Sequence, residues 1–176
     1  MSQNKGNIII VDDDHQMREM LHEFLESSGY EVVEFSLAQP AFEAISQENL
    51  SFSNGSEPDL VITDLNMPEM DGIELTQNLK RIRPELPILL VTAYGSIESA
   101  IEATKKGAFA YVVKPFKLNE FEVQVEKALH HGSLSRENTL LRQEIDKDWQ
   151  MGRIIGKSRA IRNVFNLVEN VSRATA

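Results

Sequence analysis

Five short apolar or β-branched runs, separated by segments with helical periodicity, place the strongest constraint on how this chain folds. Uninterrupted apolar runs are expected of strands that are buried on both faces of a parallel sheet. Strands that alternate with helices build such a sheet through right-handed crossovers. We therefore predict a doubly wound, five-stranded parallel α/β sheet, with strands at residues 8–11, 31–35, 59–63, 87–91 and 109–113.

The 176-residue chain has a formal net charge of −9 and no cysteine. This acidic balance argues against an extensive nucleic-acid surface, because phosphate contacts require clustered Lys and Arg. The lack of cysteine excludes disulfides and thiolate metal sites. No apolar stretch approaches the ~20 residues that span a bilayer, and residues 1–6 lack the pattern of a signal peptide. We therefore expect a cytoplasmic protein without a membrane partner.

Reactive side chains directly follow four of the predicted strands. Asp12 and Asp13 follow the first strand, Asp64 the third, Thr92 the fourth and Lys114 the fifth. In an open parallel sheet, ligands bind outside the carboxyl ends of the strands. Any one of these residues alone would more often be a helix cap or a turn residue. All five at strand ends in this order predict a single phosphate-handling site.

Three carboxylates at one edge of a sheet require a cation. Two carboxylates ~4 Å apart repel by roughly 4 kcal/mol at an effective dielectric of 20. Oxygen ligands without His or Cys favour Mg²⁺. With Mg²⁺ holding a phosphoryl group in line, one carboxylate can act as a nucleophile and form an acyl phosphate. Lys114 is then the counter-ion of that phosphate, and Thr92 offers its hydroxyl to one phosphoryl oxygen.

Four segments resemble the receiver domain of bacterial two-component response regulators. They are Val11-Asp12-Asp13-Asp14, Thr63-Asp64-Leu65-Asn66-Met67-Pro68, Val91-Thr92-Ala93-Tyr94-Gly95 and Tyr111-Val112-Val113-Lys114-Pro115-Phe116. The resemblance covers residues 7–128. It implies a flavodoxin-like fold with strand order 2-1-3-4-5. One position departs from the family pattern: His15 stands where proline is frequent, which leaves only the start of the first helix open.

The resemblance also implies the chemistry of the acidic site. Asp64 would accept phosphate from the phosphohistidine of a sensor histidine kinase, with Lys114 as counter-ion. Asp13, Asp64 and the main-chain carbonyl of Asn66 would ligate Mg²⁺, and Asp12 would assist through water.

Two further roles follow from the resemblance. Thr92 and Tyr111 would form the switch pair, in which Thr92 moves toward the phosphoryl group and Tyr111 turns inward. Pro115 occupies a position that is typically a cis proline in this family. The signalling surface would be formed by the fourth helix, the fifth strand and the fifth helix.

A long helical segment follows the receiver-like residues 1–128. The stripe of Phe121, Val125 and Ala128 is predicted to pack on its own domain, as an amphipathic helix does. A second seam at 4,3 spacing is typical of a helix that pairs with a copy of itself, and a polar residue inside it helps to fix register. We therefore predict that residues 129–151 form a coiled-coil linker of a homodimer, with its seam at Leu134, Asn138, Leu141 and Ile145.

Residues 155–161 and the amphipathic segment after them resemble the opening of the AAA+ ATPase domain in NtrC-type activators of sigma-54-dependent transcription. Residues 152–158 are not a P-loop, because one residue is missing between the glycines and no strand precedes them. We expect residues 152–176 to be the start of a truncated AAA+ domain that neither binds nor hydrolyses ATP. Contacts with sigma-54 RNA polymerase and DNA would require domains absent from this chain.

Two other functions could use the same residues. Phosphatases with an aspartyl nucleophile place a second acid two residues later, where this chain has Asn66. A receiver with a DNA-binding output would conflict with the acidic charge and with the match at residues 155–161. We therefore predict a signalling phosphoacceptor, not an enzyme, that controls dimer arrangement and a downstream ATPase. Whether phosphorylation breaks or builds the dimer stays open.

Overall fold

The computed structural model describes residues 4–50, 52–53, 55, 57–93 and 95–150, apart from the side chains of Ile97 and of residues 143–150. The ATPase-like segment predicted at residues 152–176 lies outside the described residues, as do Tyr94 and the side chain of Ile145. None of the helices in the described part of the chain has the length and apolar character that crossing a bilayer requires.

Strands and helices alternate strictly along the described residues. They are β1 (Asn7–Val11), α1 (His15–Ser27), β2 (Glu31–Phe35), α2 (Ala38–Ser46), β3 (Leu60–Asp64), α3 (Gly72–Ile82), β4 (Ile88–Thr92), α4 (Ile97–Lys105), β5 (Ala110–Val113) and α5 (Leu118–Gln150). Each of the predicted strands is present within one or two residues of its expected position.

The five strands form one parallel sheet in the order β2-β1-β3-β4-β5. The predicted fold and strand order are confirmed. The strand order reverses between β1 and β3, where Val11 lies opposite Thr63. A reversal of this kind opens a crevice outside the carboxyl ends of the two strands. Asp12 follows β1 and Asp64 ends β3, so both residues lie at this crevice.

Successive residues of the central strands face two hydrophobic layers on opposite sides of the sheet. The layer under α1 and α5 contains Ile8, Ile10, Leu60, Ile62, Leu21, Leu25, Phe121, Val125 and Ala128. The layer under α2 and α3 contains Ile9, Val11, Val61, Ile88, Ala41, Ile45, Leu75 and Leu79. Each fully buried Leu, Ile or Phe contributes roughly 1.5–3 kcal/mol. The predicted packing of Phe121, Val125 and Ala128 on their own domain is confirmed.

Helix α1 begins and ends at residues whose side-chain or backbone chemistry explains its bounds. Asp14 is the N-cap, and its Oδ1 accepts hydrogen bonds from the main-chain N–H groups of Gln16 at 2.9 Å and Met17 at 3.4 Å. The helix starts at His15, so the departure from the family pattern does not delay it. Gly29 follows the helix with φ +94°, a left-handed conformation that glycine adopts without strain.

Helix α5 stays on the domain beyond residue 128, where the sequence predicts the linker to begin. Gly132 lies against Pro87: a Cβ atom added at Gly132 would come within 2.9 Å of the proline ring. Arg136 Nη2 donates to Oδ1 of Asp59 at 2.6 Å. The chain divides into two compact units, Met1–Arg136 and Glu137–Ala176. The contacts of α5 with the first unit therefore extend about two helical turns past the expected boundary.

The predicted dimer seam is exposed where its side chains are described. Leu134 is 52% exposed and Leu141 is 51% exposed. Asn138 is exposed as well. Self-association through this seam stays a prediction.

Candidate functional site

An acidic pair bridged by a lysine lies at the carboxyl edge of the sheet. Lys114 Nζ is 2.9 Å from Oδ2 of Asp12 and 2.8 Å from Oδ1 of Asp64. Asp12 is 2% exposed and Asp64 is 7% exposed. One ammonium thus serves two buried carboxylates, which leaves the group with an excess of negative charge when all three side chains are ionised.

The turn between β1 and α1 holds the Asp12 carboxylate in this position. Its Oδ1 accepts from the main-chain N–H of Asp14 at 2.9 Å, and its own carbonyl oxygen accepts from Arg18 Nη1 at 2.7 Å. Burial raises the pKa of the Asp12 carboxyl, and the nearby charge of Asp64 adds to the effect. The hydrogen bonds from Lys114 and from the N–H of Asp14 only partly oppose this shift.

The Asp64 carboxylate is held by two donors on different elements. Its Oδ2 accepts from the main-chain N–H of Asn66 at 2.7 Å, and its Oδ1 accepts from Lys114. Behind it, the start of α3 approaches so closely that a Cβ atom at Gly72 would overlap the Asp64 carbonyl oxygen. Only glycine therefore lets α3 begin here without displacing the end of β3.

Lys114 is fixed by its backbone and by its side chain. Its N–H donates to the carbonyl oxygen of Thr92 at 2.7 Å, and the Lys114-Pro115 peptide bond is cis, as the resemblance implies. Burial alone would lower the pKa of the ammonium group, but hydrogen bonds and charge from Asp64 and Asp12 outweigh it and raise the pKa. The lysine is therefore a permanent cation at neutral pH.

The two predicted switch residues occupy different surroundings. Thr92 is fully buried, and the side-chain amide of Asn66 donates to its Oγ1 at 3.4 Å. Tyr111 is half-buried, and its hydroxyl lies 2.8 Å from Oγ of Ser99 on α4. Thr92 thus borders the acidic pair, whereas Tyr111 contacts α4.

The comparison with protein families agrees with this geometry. The model described as "Response regulator receiver domain" matches residues 8–126, which is more than half of the chain. The chain belongs to the response regulator receiver family.

Several relatives of this receiver are named as regulatory proteins. It is 34% identical over 159 residues to the Regulatory protein AtoC of Escherichia coli (strain K12), covering 90% of this chain and 33% of AtoC. It is 32% identical to the Transcriptional regulatory protein ZraR of the same strain, covering 100% of this chain and 37% of ZraR. The DNA-binding transcriptional regulator NtrC of that strain is 29% identical, with 97% and 34% covered. The chain thus spans about a third of the length of these relatives.

Solved structures share the fold of the receiver. NtrX from Brucella abortus matches with a TM-score of 0.69 at 29% identity, over 94% of this chain and 34% of NtrX. A receiver domain protein from Clostridium thermocellum matches with a TM-score of 0.65 at 27% identity, over 73% of this chain and 98% of that protein. The first match extends well past residue 128, as α5 does here.

The predicted metal ligands of the receiver are only partly gathered. Lys114 contacts two of the three carboxylates that are expected to crowd at this edge, and the third, Asp13, is exposed to solvent. In the part of the chain that the structure describes, no three Asp, Glu, His or Cys side chains form a group that could hold a metal ion. The assignment of Asp13, Asp64, Asn66 and Asp12 to Mg²⁺ therefore stays a prediction.

The chemistry of the donors nevertheless fits Mg²⁺. Carboxylate oxygens and a main-chain carbonyl are the hard ligands that this ion takes alongside several waters. Lys114 is a single cation shared by the buried carboxylates of Asp12 and Asp64, so the ionised group lacks one positive charge. A divalent cation would supply that missing charge.

Sequence reasoning missed three residues that shape the receiver site. The spacing of Ser96 and Ser99 is that of a capping pair, which could have predicted the position of Ser99 at the start of α4. A glycine directly after a capping residue, as Gly72 is after Asp71, indicates a helix start that lies close to another stretch of backbone. The bond from Arg18 to the Asp12 carbonyl has no signature in the sequence.

Proposed function

We propose that this receiver accepts a phosphoryl group on Asp64 from the phosphohistidine of a sensor histidine kinase. The observation that carries the proposal is the ammonium group of Lys114, 2.8 Å from Asp64 and 2.9 Å from Asp12 at the crevice where the strand order reverses. A buried carboxylate beside a permanent cation has both a nucleophilic oxygen and a partner for the charge that phosphorylation adds.

The reaction is a transfer between two protein side chains. An oxygen of the Asp64 carboxylate attacks phosphorus, the bond from phosphorus to the imidazole nitrogen breaks, and its electron pair stays on the ring. Lys114 then pairs with a phosphoryl oxygen, and Thr92 donates its hydroxyl to another. When bound by Asp13, Asp64 and the carbonyl of Asn66, with Asp12 assisting through water, Mg²⁺ would neutralise charge on the phosphoryl oxygens.

We further propose that residues 129–151 form a linker through which two copies of the chain pair. The half-exposed Leu134 and Leu141 support this, because leucines at seam spacing on a helix are otherwise left in water. Asn138 would fix register within the seam, and Ile145 would continue it. The linker would then begin after the predicted receiver of residues 1–128, and its first residues, up to Arg136, would also pack on the first compact unit.

The output of the protein is proposed from its relatives. NtrC, AtoC and ZraR are named as regulatory proteins, and this chain spans about a third of each. We propose that residues 152–176 begin an AAA+ domain and that phosphorylation controls a sigma-54 activator ATPase outside this chain. Contacts with sigma-54 RNA polymerase and DNA would belong to those further domains, in the cytoplasm. The receiver itself would be a phosphoacceptor and not a turnover enzyme.

Acetyl phosphate with Mg²⁺, followed by intact-mass measurement, tests the phosphoacceptor. Wild type should gain one phosphoryl group, whereas Asp64→Asn should gain none. Asp71→Asn is a matched control, because Asp71 lies in the same loop and Asn caps a helix as well as Asp does. An unlabelled wild type, or a labelled Asp64→Asn, would refute the assignment.

Sedimentation with and without beryllofluoride tests the proposed dimer. Beryllofluoride with Mg²⁺ mimics the phosphoryl group, so the association state or the dimer's shape should change on its addition. Leu141→Asp should weaken the association in whichever state is dimeric, because it puts a charge into the seam. Indistinguishable behaviour of wild type and Leu141→Asp in both states would remove the linker from the proposal.

A further inference from the structure

The first turn of α4 is held by two serines that cap each other. Ser96 is the N-cap, and its Oγ accepts from the N–H of Ser99 at 3.0 Å. In return the N–H of Ser96 donates to Oγ of Ser99 at 3.1 Å. Two main-chain donors that a helix start leaves unpaired are thus satisfied reciprocally.

The hydroxyl of Ser99 has an additional partner outside the helix. It lies 2.8 Å from the Tyr111 hydroxyl on β5 and 3.0 Å from the Ser96 carbonyl oxygen. A serine hydroxyl has one hydrogen and two lone pairs. If Ser99 donates to the carbonyl of Ser96, its lone pairs accept from the N–H of Ser96 and from Tyr111. In that arrangement Tyr111 is the donor, and the hydrogen and both lone pairs of the Ser99 hydroxyl are used. Ser96 Oγ lies 3.1 Å from Ser99 Oγ but finds no free lone pair on it.

The same tyrosine also has apolar contacts inside the domain. Tyr111 packs against a small buried cluster that includes Leu65, the residue after Asp64. The loop that leads to α4 is equally close to β5, because a Cβ atom at Gly95 would come within 2.5 Å of a Val113 methyl group. A rotation of the Tyr111 ring would therefore change its packing on this cluster and its contact with the start of α4.

We propose that Ser99 is a positioning residue that ties the Tyr111 side chain, in the half-buried orientation that it has here, to the capped first turn of α4. When Tyr111 turns inward, the Ser99 hydroxyl loses one of its three hydrogen-bond partners, and the first turn of α4 is no longer tied to β5. The hydrogen bond is thus a latch on the arrangement described here, in which Asp64 carries no phosphoryl group. The proposed function supplies the cause of the inward turn, whereas the latch itself depends only on the contacts of this state.

Loss of the latch should favour the phosphorylated arrangement. Ser99→Ala removes the hydroxyl that accepts from Tyr111, and Tyr111→Phe removes the hydroxyl that donates. Each should tighten the binding of beryllofluoride in the presence of Mg²⁺ by about fivefold, the factor that corresponds to a hydrogen bond of ~1 kcal/mol. Ser99→Thr keeps a hydroxyl at the same position and should retain the wild-type affinity.

A double-mutant cycle measures the coupling directly. Wild type, Ser99→Ala, Tyr111→Phe and the double variant are titrated with beryllofluoride and followed by fluorine-19 NMR. Because both single changes remove the same bond, the double variant should also bind about fivefold tighter than wild type. Independent effects that multiply to about 25-fold would overturn the latch, and so would a Ser99→Thr variant that behaves like Ser99→Ala.

Amide hydrogen exchange in the first turn of α4 gives a measurement whose response to ligand would not depend on Ser99 if the serine had only a structural role. In wild type, beryllofluoride should speed exchange of these amides about two- to tenfold. In Ser99→Ala, exchange should already be fast without ligand and should change little on its addition. Equal ligand responses in the two proteins would contradict the latch.

A failure of the proposed function remains distinguishable from a failure of the latch. If wild type binds no beryllofluoride, the proposed function fails, and the same four proteins are compared by urea unfolding without ligand. Non-additive unfolding free energies then support the Ser99–Tyr111 bond, and additive ones overturn it.

Discussion

The two ends of the parallel sheet both carry polar networks, but the networks differ in charge balance. At the carboxyl end, Lys114 serves both Asp12 and Asp64, so negative charge is in excess. At the amino end, Asp59 serves two donors: Oδ1 accepts from Arg136 at 2.6 Å, and Oδ2 accepts from a main-chain N–H of β1 at 2.9 Å. One end lacks positive charge, whereas the other is matched.

This difference separates a reactive site from a structural one. A buried group with unbalanced charge costs stability and is retained where chemistry uses it. The amino end instead completes the bonding of buried Asn7, whose side-chain amide donates to the Glu57 carbonyl and accepts from Asn4. Substitutions should therefore have opposite signs at the two ends: loss of an acid should stabilise the carboxyl end and destabilise the amino end.

Removal of the shared cation should have the largest effect. Lys114→Met keeps an unbranched side chain, one atom shorter than lysine, and leaves Asp12 and Asp64 without their counter-ion. We expect the free energy of unfolding at neutral pH to fall by about 2–3 kcal/mol, since an uncompensated buried charge is costly. Urea denaturation without Mg²⁺ measures it. Lys117→Met is the matched control, because Lys117 is 81% exposed, and it should change stability by less than about 0.5 kcal/mol. Equal effects of the two substitutions would contradict the charge imbalance.

Removal of the acid at the amino end should come second. Asp59→Ala leaves Arg136 and the N–H of Asn7 without their acceptor, and we expect the free energy of unfolding to fall by about 1–2 kcal/mol. Arg136→Ala should cost less, because Asp59 keeps its bond to Asn7. A double-mutant cycle in urea should give a coupling above about 0.5 kcal/mol for Asp59 and Arg136. Additivity would mean that the ion pair does not anchor α5.

Removal of an acid at the carboxyl end should have the opposite sign. Asp12→Asn keeps the shape of the side chain, removes the repulsion with Asp64 and leaves Lys114 paired. We expect the free energy of unfolding without Mg²⁺ to rise by about 0.5–1 kcal/mol, because burial already disfavours the charged form of Asp12. Urea denaturation of Asp12→Asn beside Asp59→Asn gives the comparison. If both substitutions changed the free energy of unfolding in the same direction, the proposed difference between the two ends of the sheet would be wrong.

The fold could be predicted because the signals were local. The apolar runs predicted each strand, and the Asp14 cap and Gly29 predicted the bounds of α1. The strand order came from the family resemblance and not from the runs themselves. Of the site, the residues that follow strands could be assigned to one edge, because parallel strands end together.

The remaining features depend on contacts between distant residues. Arg136 and Asp59 are 77 positions apart, so the sequence placed the end of the domain at residue 128 although α5 packs up to Arg136. Gly132 approaches Pro87 so closely that the contact requires the absence of a side chain. Asp13 is exposed, whereas Asp12 and Asp64 are buried, and residue order alone does not predict how deeply each acid of this edge is buried.

The pH dependence of stability should show the smallest contrast. The pKa of Asp12 is raised above its usual value of 3.8, so the folded state holds this proton more tightly than the unfolded state. The stabilisation from Asp12 is therefore complete in acid below 3.8 and is lost as the pH rises through the higher folded-state pKa. Glu57 has the opposite pH dependence. The hydrogen bond from Arg83 lowers the pKa of Glu57, so the stabilisation from Glu57 is lost as the pH falls into the acid range. The difference between wild type and Asp12→Asn cancels Glu57 and isolates Asp12. Urea midpoints measured across the acid range should show that the extra stability of Asp12→Asn over wild type shrinks as the pH falls. A stability difference that stays constant with pH would mean that the pKa of Asp12 is not raised above its usual range.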